Sequence, residues 1–509
     1  MFGIEERFGC SAGFFHEVGR PVVLRVCLVT LLIFFGSGSE EAPATPLSGP
    51  GKDEVLKVMQ TATDFMMNKV SYRGAFVWAY SADLTEQWGE VPAKRTMVWV
   101  QGATPQVGFM LLDAYEATGD TRYIEYAKRL ANTLVYGQLP AGGWDYYIDF
   151  DPSGIQKWYD DVLSKCWLWE EFYHYAGNCT YDDDVTAGAT RYLLRLYMAI
   201  LDPAYKTPLI KALDFILESQ YPNGAWPQRY PLKYDFNFEG HPDYTSYYTY
   251  NDGVIFNNIY LLLEAWEKLG NEAYSNAALR GMEFVVISQM PSPQAGWSDQ
   301  YDTSMKPAQA RTYEPAAVSS GATVECIRNL ERFYTITGDK RYLRGIPDAL
   351  EWLENSYLPE NHKTDKNVTH AAFYEPGTNK PLYAHCEGSG VETGHVRIDS
   401  IPGNFMPGYG FQTTVNVQAL KQEYQRVSSL TPEQVQAEYQ SKKLESTQRR
   451  PDPDTVKKLI QSLDDRGAWI AEIDFEDFHD LVNNPHIKFR GISTSTYIKN
   501  MQTLLNYVK

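Results

Sequence analysis

One segment recurs four times in this chain, and it restricts the fold more than any other feature. The copies are Asp113 to Val135, Arg195 to Leu217, Glu264 to Val286 and Arg332 to Leu353. Each reads as a helix end, a turn, a tyrosine and then an amphipathic helix. The shared tyrosines, Tyr123, Tyr205, Tyr274 and Tyr342, stand at steps of 82, 69 and 68 residues. Gly119, Gly270 and Gly338 sit where a helix C-terminus calls for a left-handed residue. Three of the second helices lead into a related loop: Ala141-Gly-Gly-Trp144-Asp, Asn223-Gly-Ala-Trp226-Pro-Gln and Ala295-Gly-Trp297-Ser-Asp-Gln. A lone helical hairpin cannot bury its apolar stripe, whereas stacked neighbours can. Few segments alternate apolar and polar with period two. These observations predict an all-α fold, an (α/α) toroid or incomplete barrel of helical hairpins. Long irregular loops would gather on one rim, the Gly-Trp loops among them. The tryptophans would stack on sugar there; plain core packing is the competing reading.

A chain of 509 residues can hold a large core. An apolar run from Pro21 to Phe35 follows basic residues and precedes Gly-Ser-Gly-Ser. It is short for a spanning helix and fits a signal peptide cleaved near Ser37 or Ser39, with an N-terminal anchor as the alternative. Cys27 lies inside the run, which argues against a lipoprotein. The organisation read from this is a leader over 1–39, a Pro/Gly-rich linker over 40–52 and one helical domain over 53–509. Within that domain 427–509 supplies closing helices, expected at Val456–Leu463 and Ile492–Val508. The mature chain is expected to be secreted or periplasmic, without a spanning segment, and monomeric. Cys166, Cys179, Cys326 and Cys386 match no zinc spacing.

The formal charge of −18 makes nucleic acid an unlikely partner. It leaves an acidic substrate open, because local arginine or a bridging cation overrides the global field. Tyr181-Asp182-Asp183-Asp184-Val-Thr186 precedes a helix, and one repeat later Tyr250-Asn251-Asp252-Gly253 precedes another. Aspartate or asparagine at such places can cap a helix. Three adjacent carboxylates, however, repel unless a cation or arginine is near, and calcium takes several carboxylate oxygens. The third feature is the loop Trp297 to Pro315, where Arg311 stands three residues before Glu314 amid Tyr, Trp and Pro. Arg311 would either pair with Glu314 and hold the loop, or bind and attack an anion. His174, His241 and His385 are scattered, and no phosphate-cradling Gly loop or HExxH occurs.

From about residue 95 to 385 the chain resembles polysaccharide lyase family 10, the pectate (polygalacturonate) lyases. The resemblance rests on Asn223-Gly-Ala-Trp-Pro-Gln-Arg-Tyr-Pro231, Tyr250-Asn-Asp-Gly253, Tyr181-Asp-Asp and Lys306-Pro-Ala-Gln-Ala-Arg-Thr-Tyr-Glu-Pro315. It implies calcium-dependent β-elimination on α-1,4-linked galacturonan, with an alkaline optimum. Arg311 would be the base that takes the C5 proton. Asp182, Asp183 and Asp252 would hold calcium against the substrate carboxylate or orient it. Trp226, Arg229, Tyr250, Asn251, Trp297 and Glu314 would line the substrate path. The block Tyr374-Glu-Pro-Gly-Thr-Asn-Lys380-Pro381 is present, but Leu-Tyr-Ala-His385-Cys386 follows without the arginine the family carries there. Lys380 or His385 would then supply the positive charge. Two other functions compete: a glycoside hydrolase on the same toroid using Asp182 and Asp252, and a pectin-binding protein without turnover.

Overall fold

The computed structural model describes residues 49–163, 177–233, 237–238, 241–242, 244–387, 395–403, 405–406, 411–444, 450–476 and 486–509. The leader, the linker as far as residue 48, Cys166 and His174 lie outside the described residues. Among the described residues no helix is long and apolar enough to cross a membrane.

The hairpins form where the tyrosine repeat places them. They are α2 and α3 (Thr104–Thr118, Thr121–Gly137), α4 and α5 (Val185–Ile200, Pro203–Glu218), α6 and α7 (Val254–Leu269, Glu272–Ile287), and α8 and α9 (Ser320–Thr337, Ile346–Asn355). Their turns share one chemistry. Asp120, Asp202, Asn271 and Asp339 each accept the backbone N–H two residues on, at 2.9, 3.0, 3.0 and 2.9 Å. This satisfies a helix-start donor that would otherwise be orphaned. The repeat tyrosine follows three residues after each cap and is buried in the core. The preceding helix ends in a left-handed residue: Gly119 (φ 68°), Gly270 (φ 72°) and Gly338 (φ 73°), but Leu201 (φ 52°) in the second copy.

First helices pack on first helices (α2 on α4, α4 on α6) and second on second (α3 on α5, α5 on α7). The result is two concentric rings, the (α/α) toroid arrangement. α1 (Lys52–Phe65) opens the ring, and α10 (Val417–Ser429), α11 (Pro432–Leu444), α12 (Pro453–Gln461) and α13 (Thr494–Val508) complete it. α13 packs on both α1 and α2. There Tyr497 donates to Thr63 at 2.9 Å. The two helices expected in the tail are present within a few residues of their predicted ends.

The Gly-Trp loops correct one expectation. Trp144, Trp226 and Trp297 are fully buried. Their indole N–H groups donate to Leu134 (2.7 Å), Ile216 (2.9 Å) and Val285 (2.9 Å), each carbonyl in the last turn of its own outer helix. Those carbonyls have no partner inside the helix, so the indole is a built-in C-terminal cap. Trp226 and Trp297 are core residues and do not face substrate. The slot recurs twice more. Trp469, after Gly467-Ala468, caps Leu459 at 3.0 Å, and His370 Nε2 donates to Leu353 at 2.8 Å. Phe76, after Gly74-Ala75, stands at the same place in a first copy. A tyrosine four residues on accepts the N–H after the slot in three copies: Tyr80 from Val77, Tyr301 from Ser298 and Tyr374 from Ala371.

The all-helical expectation is also too strict at the rim and tail. β1 (Ala79–Ser81) and β2 (Gln87–Trp88) pair with a C-terminal hairpin, giving the order β7-β8-β1-β2; β7 is Ile470–Glu476 and β8 is His486–Ser493. A second sheet runs β3 (Val318–Ser319), β4 (Phe373–Tyr374), β5 (Pro381–Glu387), β6 (His395–Asp399). In β8 the exposed His486, Lys488 and Arg490 alternate with the half-buried Ile487 and Phe489. That is the period-two pattern of a strand with one solvated face. Cross-strand pairs Lys488–Asp474 (3.0 Å) and Arg490–Glu472 (2.9 Å) line the wet side.

Candidate active site

Two homologous turns supply the aspartates. Tyr181-Asp182-Asp183-Asp184 and Tyr250-Asn251-Asp252-Gly253 each form one tight turn at the start of an inner helix. Asp183 (φ 49°, ψ 36°) and Asp252 (φ 53°, ψ 26°) are both left-handed, a conformation Asp tolerates better than most residues and one that clusters at functional sites. Each turn is pinned from below. Tyr181 hydrogen-bonds Ser219 at 2.5 Å, and Tyr250, 69 residues later, hydrogen-bonds Ser288 at 2.6 Å. Neither α4 nor α6 receives a side-chain cap bond from its turn, so helix capping does not account for these carboxylates. Asp184 is the structural member: it pairs with Arg191 at 3.3 Å.

Asp182, Asp183 and Asp252 come together with Arg311. Arg311 Nη2 lies 3.4 Å from Asp182 Oδ2, and Arg311 Nη1 lies 3.3 Å from Glu314 Oε1. The Arg311 backbone N–H also donates to Glu314 at 3.1 Å. The loop-holding pair and the approach to the aspartates are therefore both present. Arg311, Glu314 and Asp182 are all buried. Tyr146 donates to Asp182 Oδ2, Gln101 Nε2 donates to Asp183 Oδ2, and the Asp252 carboxyl stands beside that of Asp182. Asp182 Oδ1 is buried without a hydrogen bond of ordinary geometry.

The electrostatics follow from crowding. Burial, then Asp182 and Asp183, push the Asp252 carboxyl well above the usual range. Burial, then Asp183, do the same to Glu90. Burial also raises Asp182, but the adjacent Arg311 and the hydrogen bonds from Asp252 and Tyr146 outweigh it, and its carboxyl falls below the usual value. Asp299, beside the site, is pushed up to about 6 by burial against the opposing hydrogen bond from Ser319. A small cavity next to Arg311 is lined by Asn251, Asp299, Gln300, Ala308, Glu314 and Phe373, among others.

Of the other residues expected in the site, Asn251 lines that cavity. Four stand elsewhere in role. Arg229 is fully buried, with contacts to Asp145 (3.5 Å) and the Asn178 carbonyl (3.3 Å), and lies over the Tyr146 ring. Tyr250 is spent on Ser288 in the core. Lys380 is exposed at the turn between β4 and β5. His385 sits on β5, 3.1 Å from Asp399. Glu90 and Gln101 were not anticipated. Gln101-Gly102-Ala103-Thr104 stands 82 residues before Asp183-Asp184-Val185-Thr186, the same step that separates Tyr123 from Tyr205. Phe76 N–H bonds Thr104 as Trp144 N–H bonds Thr186, each at 3.1 Å. That register could have placed Gln101 at the site.

Among the described residues no group of three or more Asp, Glu, His or Cys side chains is arranged to hold a metal ion by itself. The donor chemistry suits a hard cation, since several carboxyls here face one guanidinium. Such an ion would need further ligands from the bound substrate.

Comparison with known proteins gives the following. Residues 169–415 match the family model of pectic acid lyase. No curated protein matches. Among solved structures, the family 10 polysaccharide lyase from Cellvibrio cellulosa is 16% identical, over 63% of this chain and 96% of its own, with a TM-score of 0.41. A mutant of that enzyme in complex with trigalacturonic acid gives 15%, 64%, 97% and 0.41. An α-1,6-mannanase from Salegentibacter sp. HEL1_6 is 12% identical over 90% of this chain and 98% of its own, with a TM-score of 0.36. The stretch that carries both aspartate turns, Arg311 and Glu314 is thus the one that matches the pectic acid lyase family model, the family its motifs resemble.

Proposed function

We propose that this protein is an exported polysaccharide lyase that cleaves α-1,4-polygalacturonate by calcium-assisted β-elimination, with Arg311 as the base. The observation that carries the reading is the meeting of Arg311 with Asp182 at 3.4 Å, in the same pocket as Asp183 and Asp252. These groups come from three different hairpin units and have no structural need to converge.

In this mechanism Arg311 takes the C5 proton, the electron pair forms the C4=C5 bond, and the C4–O bond breaks. The leaving oxygen collects a proton from solvent. Arginine resists deprotonation, so the step favours alkaline pH. Glu314 and Asp182 fix the guanidinium plane by charge-assisted bonds. Asp182, Asp183 and Asp252 are the residues that would hold calcium between themselves and the uronate carboxylate. The bound ion would supply positive charge where the carbanion develops. The N-terminal apolar run is the basis for export.

A glycoside hydrolase would instead use Asp182 and Asp252 as acid and base, and its products carry no C=C bond. The test is polygalacturonate at alkaline pH, with and without calcium, following the ultraviolet absorbance of unsaturated product. Wild type should produce it, and Arg311→Ala should lose roughly 10²-fold or more of the rate with an unchanged fold. Reducing ends without absorbance would mean hydrolysis; tight binding with neither would mean a binding protein.

A further inference from the structure

Away from the aspartates, one surface carries cations without anionic partners. In a chain of net charge −18, Arg73, Arg95 and Arg129 form no ion pair with any described carboxylate. Among the described residues Arg95 donates only to Gln87 and the Val70 carbonyl, and Arg129 only to Asn68. Arg73 and Arg95 border a row of aromatic rings, and Arg129 lies against Gly74, next to Arg73. The Arg73 guanidinium lies 4.8 Å from the Phe150 ring, and Arg95 lies 5.6 Å from the Tyr72 ring. Tyr72 and Phe150 are 5.5 Å apart, and Tyr136 stacks on Phe150 at 4.7 Å and 13°. Tyr136 is 63% exposed, among the most exposed large apolar side chains described.

The patch is built rather than loose. Arg73 sits at the tip of a turn closed by two backbone bonds between Tyr72 and Ala75, both 3.0 Å, and its carbonyl accepts from Thr133 at 2.6 Å. Its φ is 52°, a strained value for arginine. The nearby Asp149 is engaged by Lys94 at 2.5 Å. Phe150 stands four residues after Tyr146, the residue that donates to Asp182. At a strand's rise the patch therefore lies roughly 13 Å along the chain from the site.

We propose that Tyr136, Phe150, Tyr72 and the arginines Arg73, Arg95 and Arg129 form a second binding site for an acidic polysaccharide, a stretch of uronate chain outside the catalytic pocket. Tyr136 offers an aromatic face to the C–H side of a sugar ring. Unpaired guanidinium groups meet its carboxylates bidentately. The identity of the chain rests on the lyase reading above; the anion–aromatic chemistry does not.

The test uses the full-length protein, with Tyr136→Ala and a double variant Arg73→Ala/Arg95→Ala, all at exposed positions. Affinity electrophoresis in gels containing polygalacturonate, with chelator present, reads binding without the metal-dependent site. Each variant should lose roughly three- to tenfold in affinity, with a flatter salt dependence. KM for long polygalacturonate should rise while kcat/KM for trigalacturonate stays within about twofold. Unretarded wild type, or variants retarded like wild type, would overturn the site. So would equal retardation of wild type by dextran sulfate, which marks plain charge attraction. Normal retardation without any turnover would leave this site standing and sink the lyase reading instead.

Discussion

Asp299 shows how closely protonation and folding are tied around this cavity. Burial raises its carboxyl to about 6, and burial followed by Asp299 itself raises Glu325 to about 7. A carboxyl whose folded pKa exceeds its unfolded one stabilises the fold fully below the unfolded value. That contribution is lost as pH climbs through the folded value. The window here runs from about pH 4 to 7. Asp182 has the opposite sign: its stabilising share is present above the ordinary carboxylate range and is lost as pH falls through its lowered pKa. Asp299→Asn should therefore lessen the fall in Tm between pH 4 and 7, by the equivalent of roughly 1–3 kcal/mol, while leaving Tm below pH 4 nearly unchanged. Thermal unfolding across that range checks it; parallel curves would deny the linkage. At this scale the sequence made Asp182, Asp183, Asp252, Arg311 and Glu314 legible, because crowded like charges and an arginine among aromatics are chemically costly. It could not separate Arg229 or Tyr250 from substrate contacts. Whether a polar group on a loop turns inward to a partner depends on neighbours such as Asp145 and Ser288, which are distant in the chain.

The recurring element is the outer helix together with the residue that caps its end from the following loop. A tryptophan in that slot fills the core and bonds a last-turn carbonyl, so it looked like a sugar platform for the same reason it is a good cap: a large apolar body with one donor. Trp226→Phe should cost about 2 kcal/mol or more, through the lost indole bond to the Ile216 carbonyl and the lost volume. Chemical denaturation measures the loss, and KM for polygalacturonate should not move. A raised KM at unchanged stability would restore the substrate role. The hairpins were readable because cap, tyrosine and glycine keep fixed spacing. The first, fifth and sixth slots were not, because Phe76 and His370 replace tryptophan and Trp469 follows a short helix and leads straight into a strand. The β7–β8 hairpin was missed because its alternation is short and its inward side chains remain half-buried.

Across the whole molecule, the pocket unites groups from several units, so its charge acts on the ring as a unit. Ionising Asp252 and Glu90 at alkaline pH, where the lyase reaction is expected to run, adds like charge to a crowded cluster. A divalent cation bound there would offset it. Calcium should raise Tm by a few degrees at pH 9 and scarcely at pH 5, with chelator reversing the effect and Asp183→Asn/Asp252→Asn abolishing it. Calorimetry at both pH values decides this, and an equal shift at both would place the ion elsewhere.

Tyr497 reaches Thr63 across 434 residues, and α13 lies against both α1 and α2. Both α1 and α2 thus lack one of their neighbours until α13 has been made. During synthesis the early hairpins can stack as they emerge, yet α1 must wait, its apolar side uncovered, until that late helix arrives. A growing chain of this kind depends on whatever shields that surface in the interval, and cutting it before α13 would leave an open ring rather than a slightly shorter protein.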